Sequence, residues 1–219
     1  MSDSPPLIIA IDGPAASGKS TVARRVATAL DGVFVNSGGM YRAFTWWVAH
    51  RGIDPQETAA VLALLDETHF SCSEENGVAI IAIDGEVLDA AKLSEPSVNQ
   101  QVSVIASIPE VRSRLVAEQR AYAARSGTLV MEGRDIGSVV FPETPYKFYI
   151  DASPEVREAR RQAEGIHDAI AARDKIDSSR KTSPLVIAED ATVVDSSHLG
   201  IDEVVAAVLD SIAARKSMR

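Results

Sequence analysis

The sequence feature that most constrains the fold is a glycine-rich segment near the N-terminus. It reads Gly13-Pro-Ala-Ala-Ser-Gly-Lys-Ser20, follows the pattern G-x-x-x-x-G-K-[ST], and is followed by Thr21. Residues 7–11 before it are continuously apolar, which is typical of a strand buried on both faces. After it, Val22 and Val26 recur on one helical face. A strand, a glycine-rich turn and a helix in this order predict a phosphate-binding loop rather than an accidental turn.

Each part of this loop has a physical reason to bind a nucleoside triphosphate. Glycines let backbone N–H groups turn around phosphate oxygens, and the helix N-terminus adds partial positive charge. Lys19 is expected to reach the β- and γ-phosphates, and Ser20 to ligate Mg²⁺. We therefore expect a nucleoside triphosphate and Mg²⁺ to bind here. The predicted nucleotide-binding residues are Gly13, Pro14, Ala15, Ala16, Ser17, Gly18, Lys19, Ser20 and Thr21.

The rest of the chain alternates short strands with apolar helices. Strands are predicted at 33–35, 129–131, 147–150 and 192–194, and helices at 111–125, 155–163 and 201–214. This order predicts an α/β fold with a parallel sheet flanked by helices. Residues 69–73 and 78–83 flank Glu-Glu-Asn-Gly and predict a β-hairpin instead. A hairpin does not fit inside a parallel βαβ series, so we assign it to an inserted subdomain at residues 38–108.

Composition excludes several classes of function. The net charge is −9, which disfavours general binding to nucleic-acid backbones. The single cysteine, Cys72, excludes an internal disulfide, and no Cys/His spacing suggests zinc. The longest apolar run is far short of a bilayer span, and the N-terminus has no leader-like pattern. We expect a soluble, cytoplasmic, monomeric protein that acts on small molecules, with no nucleic-acid or membrane partner.

Three further segments carry a family resemblance. Asn-Ser-Gly-Gly-Met-Tyr-Arg occupies residues 36–42, and Gly-Arg-Asp-Ile-Gly-Ser-Val-Val-Phe-Pro occupies 133–142. Arg173, Asp174, Asp177 and Arg180 form the third segment. Together with the phosphate loop, these segments resemble the bacterial cytidylate kinases, a family of nucleoside monophosphate kinases. The hairpin insert lies where that family carries an enlarged monophosphate-binding subdomain.

The resemblance implies transfer of the γ-phosphoryl group of ATP to CMP or dCMP. It implies that Ser37, Arg42 and Arg134 hold the acceptor phosphate, and that Arg180 bridges donor and acceptor. It also implies that Asp135 reads cytosine, because a carboxylate accepts a hydrogen bond from the exocyclic amine. Lys19, Arg134, Arg173 and Arg180 are the implied catalytic residues. The remaining implied acceptor contacts are Ser103 and Arg112 at the base, Tyr41 at the sugar, and Arg173 and Asp177 at the ribose or phosphates.

Each of these residues also has a structural interpretation. Asp135 could cap a turn, because Asp is favoured at such positions. Tyr41 is equally consistent with an aromatic residue of the core. Arg42 alone would be interpreted as a surface arginine, and Ser103 as an ordinary helix serine. Arg157 is interpreted as part of the solvated face of the helix after Pro154. Trp46 and Trp47 are expected in the core of the subdomain.

Two departures from the family pattern stand out. Asn36 occupies a position where the family usually has Asp, and only residues 162–172 separate Arg161 from Arg173. A short lid is therefore assigned to residues 160–182. Two alternative functions stay open. One is a kinase for another small acceptor such as UMP, which Asp135 disfavours; the other is a non-catalytic P-loop switch, which would not need arginines on the acceptor side.

Overall fold

The computed structural model describes residues 6–163, 177–179 and 183–217. The chain divides into two compact units. Unit 1 is formed by Met1–Val35 and Ser126–Arg219, and unit 2 by Asn36–Arg125.

Unit 1 is built on parallel strands. Its strands are β1 (Leu7–Asp12), β2 (Val33–Asn36), β6 (Thr128–Gly133), β7 (Tyr146–Asp151) and β8 (Thr192–Asp195), in the spatial order β2-β6-β1-β7-β8. β1 pairs in parallel with both β6 and β7, and β7 pairs in parallel with β8. The predicted parallel α/β sheet is confirmed. The order places the carboxyl end of β1, where the phosphate loop begins, between those of β6 and β7.

The part of unit 1 that the structure describes also contains helices. They are α1 (Lys19–Ala29), α7 (Pro154–Ala163) and α8 (Ile201–Ser217), with a five-residue π-helical turn at Ile136–Val140. α1 packs on β1, β6 and α8, and α8 also packs on β7. The central strands are buried on both faces, which explains their unbroken apolar runs. Side chains with at most 1% exposure in these strands are Ile9, Ala10, Ile11, Leu129, Val130, Met131, Phe148 and Ile150.

Unit 2 contains the predicted hairpin. β3 (Phe70–Glu75) pairs antiparallel with β4 (Val78–Ile83), and β4 with β5 (Glu86–Val87). The first turn has Asn76 at φ 52° and Gly77 at φ 72°, and the second has Asp84 at φ 49° and Gly85 at φ 83°. Positive φ at both central residues is the geometry that Asn-Gly and Asp-Gly favour in tight hairpins.

Five helices complete unit 2. They are α2 (Ser37–His50), α3 (Thr58–Glu67), α4 (Ala90–Leu93), α5 (Pro96–Ile105) and α6 (Pro109–Ala123). Proline opens both α5 and α6, where its missing N–H would have had no helical partner. Trp46 and Trp47 lie in the hydrophobic core of this unit, as predicted. The unit continues past residue 108 to Arg125 because Val111 and Leu115 of α6 are fully buried in the same core.

Candidate active site

Two glycines define the shape of the phosphate loop. A Cβ on Gly13 would lie 2.1 Å from the carbonyl oxygen of Ile150, so any side chain there would collide with β7. Gly18 has φ 86°, in the left-handed region that favours glycine, and it immediately precedes α1. The structure thus contains the predicted sequence of strand, glycine-rich loop and helix, with Lys19 as the first helical residue.

The carbonyl oxygens of the loop are held by side chains. Five consecutive carbonyls, from Gly13 to Ser17, each accept a hydrogen bond. In that order the donors are Arg134 (2.5 Å), Lys19 (3.0 Å), Arg157 (3.2 Å), Arg160 (3.4 Å) and Ser196 (3.0 Å). Successive backbone N–H groups in a concave turn form an anion site. The five side-chain bonds fix the carbonyl groups of the loop, and so support its turned backbone.

Two of these donors, Arg157 and Arg160, belong to α7. The interpretation of Arg157 from the sequence was wrong. Arg157 does not lie on a solvated helix face: it is buried, and its Nε donates to the carbonyl of Ala152 at 3.0 Å. Its Nη1 reaches the carbonyl of Ala15, as above. Arg160 additionally donates from Nη2 to the carbonyl of Ser196 at 2.8 Å. A guanidinium group tolerates burial when its N–H groups find acceptors. Here the acceptors come from the loop and from the segments after β7 and β8.

Glu132, which the sequence motifs do not single out, lies beside the loop at the end of β6. Ser20 Oγ donates to Glu132 Oε1 at 3.0 Å, and Lys19 Nζ lies 3.9 Å from Oε2. The side chains of Lys19 and Glu132 are only 11% and 5% exposed. Strand register accounts for this position, because Glu132 pairs with Ile11 of β1. In the sequence, the only signal is an acidic residue that closes an apolar strand directly before Gly133.

Ser20 and Glu132 together suit a magnesium ion. A hydroxyl and a carboxylate are hard oxygen ligands, which Mg²⁺ prefers. Within the described ranges, no group of three or more His, Cys, Asp or Glu side chains is arranged to hold a metal. Magnesium in kinases usually takes one or two protein ligands and completes its shell with phosphates and water. This donor set therefore fits an ion that arrives with the nucleotide.

Asp12, the last residue of β1, is a second buried carboxylate that the motifs do not single out. It is 5% exposed, and it accepts hydrogen bonds from the backbone N–H of Ile136 at 2.8 Å and of Gly137 at 2.7 Å. Burial raises the pKa of Asp12 to about 7. The two amides and Lys19 lower this pKa, and the neighbouring negative charge of Asp135 raises it. Asp12 thus joins β1 to the π-helical turn.

Arg134 and Asp135 lie immediately before that turn. Arg134 Nε donates to Asp177 Oδ2 at 2.9 Å, and both side chains are largely buried. With its bond to the Gly13 carbonyl, Arg134 connects Asp177 to the phosphate loop. The Asp135 carboxyl is also buried, but it makes no capping hydrogen bond to the turn. Asp12 takes that capping role, so the alternative interpretation of Asp135 as a turn cap is not supported.

The predicted acceptor residues of unit 2 begin at α2. Ser37 is its first residue and is 4% exposed. The side-chain oxygen of Asn36 accepts a hydrogen bond from the Gly39 N–H at 3.1 Å and caps the helix. Asn is among the residues favoured at this position. Asn36 therefore has a local structural role, although it departs from the family pattern.

Tyr41 and Arg112 are brought together within unit 2. The guanidinium carbon of Arg112 lies 5.1 Å from the centroid of the Tyr41 ring, a cation–π geometry. Both residues are buried, and Arg112 Nη1 donates to the carbonyl of Ala106 at 3.1 Å. Tyr41 also belongs to the core of the unit. It is thus a core aromatic whose face supports a predicted base-reading arginine.

Arg42 is not a freely solvated arginine. Its Nη1 donates to the carbonyl of Leu93 at 3.0 Å and to the side-chain oxygen of Asn99 at 2.7 Å. These bonds connect α2 with α5 and with the end of α4. Ser103 lies half-buried on α5.

The predicted lid is described only in part. Arg173 and Arg180 lie outside the described residues. Of the segment 160–182, the structure describes α7 up to Ala163 and residues 177–179. Asp177 is therefore the acceptor-side residue of this segment whose position can be given.

Sequence comparison places these features in a known family. The family model for cytidylate kinase matches residues 9–214. A curated cytidylate kinase of Corynebacterium efficiens is 42% identical over 90% of this chain and 90% of its own length. A curated cytidylate kinase of Streptomyces avermitilis is 37% identical, with 98% of this chain and 96% of the relative covered.

Comparison with solved structures supports the fold alone. A gluconokinase from Sinorhizobium meliloti aligns with a TM-score of 0.51 over 96% of this chain and 93% of its own. The two sequences are 13% identical. Among the residues that the structure describes, no helix has the length and apolar character to cross a membrane.

Proposed function

This chain belongs to the cytidylate kinase family, and we propose that it transfers the γ-phosphoryl group of ATP to CMP or dCMP, producing ADP and CDP or dCDP. It is an ATP-dependent phosphotransferase. The observation that carries the proposal is the family match across residues 9–214, which includes both the phosphate loop and the Arg134–Asp135 segment.

The reaction is difficult for electrostatic reasons. The attacking oxygen of a monophosphate is already anionic, so the reaction needs no general base, unlike phosphorylation of a hydroxyl. Donor and acceptor phosphates repel each other, and each like-charge pair costs about 4 kcal/mol at ~4 Å and an effective dielectric constant near 20. Fixed cations that hold both phosphates are therefore the main catalytic requirement.

On the donor side, we assign ATP binding to the loop residues 13–21. Lys19 Nζ now donates to the Pro14 carbonyl at 3.0 Å and lies near Glu132. Binding of the triphosphate would replace this carbonyl with a phosphate oxygen. The carbonyl tethers described above support a loop that is ordered before the nucleotide arrives, which lowers the entropy lost on binding.

We propose that Ser20 and Glu132 hold the magnesium ion. Such an ion neutralises phosphate charge and orients the phosphoryl group for in-line transfer. Ser20 was the predicted ligand, and Glu132 is added because its Oε1 lies 3.0 Å from Ser20 Oγ.

On the acceptor side, we assign the CMP phosphate to Ser37, Arg42 and Arg134. Arg134 is supported best, because Asp177 and the Gly13 carbonyl already orient its guanidinium group. Arg173 and Asp177 are assigned to the ribose or phosphates, and Arg180 to the bridge between donor and acceptor. Tyr41 is assigned to the sugar pocket.

We assign recognition of cytosine to Asp135, with Arg112 and Ser103 as further base contacts. A carboxylate accepts from the N4 amine of cytosine but would face the O4 carbonyl of uracil, so it disfavours UMP. The Asp135 carboxyl is buried directly before the π-helical turn and next to Arg134, which supports this assignment.

A coupled assay of ADP release tests the proposal. The assay would compare CMP, dCMP, UMP, AMP and GMP at saturating ATP and Mg²⁺. We expect kcat/KM to be highest for CMP or dCMP. If UMP were preferred, the enzyme would be a kinase for another acceptor. If no acceptor raised ADP release above the rate with ATP alone, the alternative of a non-catalytic P-loop switch would stand.

A further inference from the structure

Asp12 holds the backbone that follows the predicted base-reading residue. We propose that Asp12 is a positioning residue for nucleobase choice: by accepting the N–H groups of Ile136 and Gly137, it sets the place of Asp135 and thereby the preference for cytosine over uracil. This inference rests on the proposed function and adds to it a residue that does not itself contact the base.

The two hydrogen bonds that Asp12 accepts have a geometry that fixes the turn. Each oxygen of the Asp12 carboxyl accepts a hydrogen bond from one backbone amide, at 2.8 and 2.7 Å. The two amides belong to the consecutive residues directly after Asp135. Two bonds from one rigid carboxyl group fix both the distance and the orientation of the turn. Asp12 is the last residue of β1, which pairs with a strand on each side, so the anchor itself is well supported.

The turn is confined from another side as well. A Cβ on Gly137 would lie 3.1 Å from Lys147 Cγ and 3.3 Å from Asp12 Oδ2. The Lys147 side chain is itself anchored, because its Nζ donates to the Pro142 carbonyl at 2.6 Å and to Asp190 at 2.8 Å. The turn therefore has little room to shift while the Asp12 bonds are intact.

The backbone of Asp135 is hydrogen-bonded to the same turn. Asp135 makes two backbone bonds within the turn, from the N–H groups of Val139 and Val140 to its carbonyl. Its backbone is thus part of the unit that Asp12 anchors. An edge contact to a base depends on sub-ångström placement, so release of the turn should weaken discrimination before it weakens the fold.

The test is a double-mutant cycle on specificity. The variants are Asp12→Asn, Asp135→Asn and the double variant, with kcat/KM measured for CMP and UMP. Asn at position 12 keeps the shape but offers an acceptor to only one of the two amides. We expect the CMP-over-UMP ratio to fall about 5- to 150-fold in Asp135→Asn and about tenfold in Asp12→Asn. In the double variant, the ratio should fall no further than in Asp135→Asn.

Thr144→Val is the matched control. Thr144 Oγ1 donates to the carbonyl of Ile8, at the opposite end of β1. The exposed fraction of Thr144 differs from that of Asp12 by only a few per cent. Loss of this hydrogen bond should lower the stability of the fold without changing the CMP-over-UMP ratio. If Asp12→Asn left the CMP-over-UMP ratio unchanged, as in this control, the positioning role would be wrong. It would also be wrong if the double variant lowered the ratio by the product of the two single effects.

Amide hydrogen exchange supplies a second measurement. In Asp12→Asn, exchange at Ile136 and Gly137 should rise while amides of β6 stay protected. Unchanged exchange at the turn would also overturn the inference. A wild-type enzyme that ignored CMP altogether would instead refute the proposed function, so the two failures are distinguishable.

Discussion

At the scale of single residues, the site depends on carboxylates at the ends of parallel strands. Glu132 ends the apolar run of β6 and Asp12 ends that of β1. Both are buried, and each is held by defined donors: Ser20 Oγ at Glu132, and two turn amides at Asp12. A buried carboxylate is stable only when it is paired or hydrogen-bonded, so these positions are specific requirements of the site.

Glu132→Gln tests the magnesium assignment. The amide keeps the size of the side chain and can still accept from Ser20, but it removes a negative ligand. We expect the Mg²⁺ concentration for half-maximal activity to rise by about tenfold or more, with kcat also reduced. Glu118→Gln is the control, since Glu118 pairs with Arg114 at 2.9 Å in unit 2. An unchanged magnesium requirement would remove Glu132 from the metal site.

Asp12 should make stability depend on pH in a defined window. Burial raises its pKa from 3.8 to about 7, so in this window the folded state keeps a proton that the unfolded state loses. The contribution of protonated Asp12 to the free energy of unfolding is complete below about pH 4 and is lost as pH rises through about 7. Relative to Asp12→Asn, the wild type should lose up to ~1.4 kcal/mol of unfolding free energy per pH unit between these values. Urea denaturation from pH 5 to pH 8 measures this difference, and a difference that rose with pH would contradict it.

At the scale of elements, α7 shows most clearly what the sequence could not reveal. Its amphipathic pattern predicts the helix correctly and places arginines on its polar face. The pattern cannot show that Arg157 donates to the Ala15 carbonyl, because that acceptor lies 142 residues away in the sequence. By contrast, the phosphate loop, the parallel strands and the hairpin follow from local residue order, and the structure contains all three.

Arg157→Ala tests the role of α7 as a support of the loop. The carbonyls of Ala152 and Ala15 would lose a charged donor, which should lower stability by about 2 kcal/mol. Because the loop would be less ordered, KM for ATP should rise several-fold more than KM for CMP. Arg25→Ala is the control: Arg25 forms an exposed ion pair with Asp202, whose loss should cost well under ~1 kcal/mol. Equal effects on both KM values would argue against a loop-specific role.

The lid segment carries a prediction from the sequence alone. Arg180→Ala should lower kcat much more than it weakens ATP binding, because its charge is needed mainly when the phosphoryl group lies between donor and acceptor. ATP hydrolysis without acceptor should be slow in the wild type if the short lid excludes water. Intact turnover in Arg180→Ala together with rapid wild-type hydrolysis would show that the lid function is lost.

At the scale of the whole molecule, the chain combines a net charge of −9 with arginines collected at a few positions. The overall charge disfavours nucleic acid, while Arg134, Arg157 and Arg160 surround the phosphate loop with local positive charge. Glu132 could not be predicted as a neighbour of the loop because strand pairing with β1 brings it there. Asp12 directly precedes the loop, but its bonds to Ile136 and Gly137 could not be predicted because those residues are distant in the sequence. Parallel partners are separated by long crossover connections, so local residue order does not show which residues become neighbours.

At the scale of assembly, we propose that the protein acts as a monomer. Light scattering coupled to size-exclusion chromatography should give a mass near the 23.4 kDa of the chain. A stable mass of twice that value would contradict this proposal.

The central claim is that this chain moves a phosphoryl group from ATP to CMP. Phosphorus NMR of a mixture of ATP, Mg²⁺, CMP and enzyme observes that transfer directly. We predict that CDP and ADP appear in equal amounts with the wild type, and that Lys19→Ala slows their formation by about a hundredfold or more. Formation of ADP with inorganic phosphate but no CDP, or equal CDP formation by Lys19→Ala, would contradict the account.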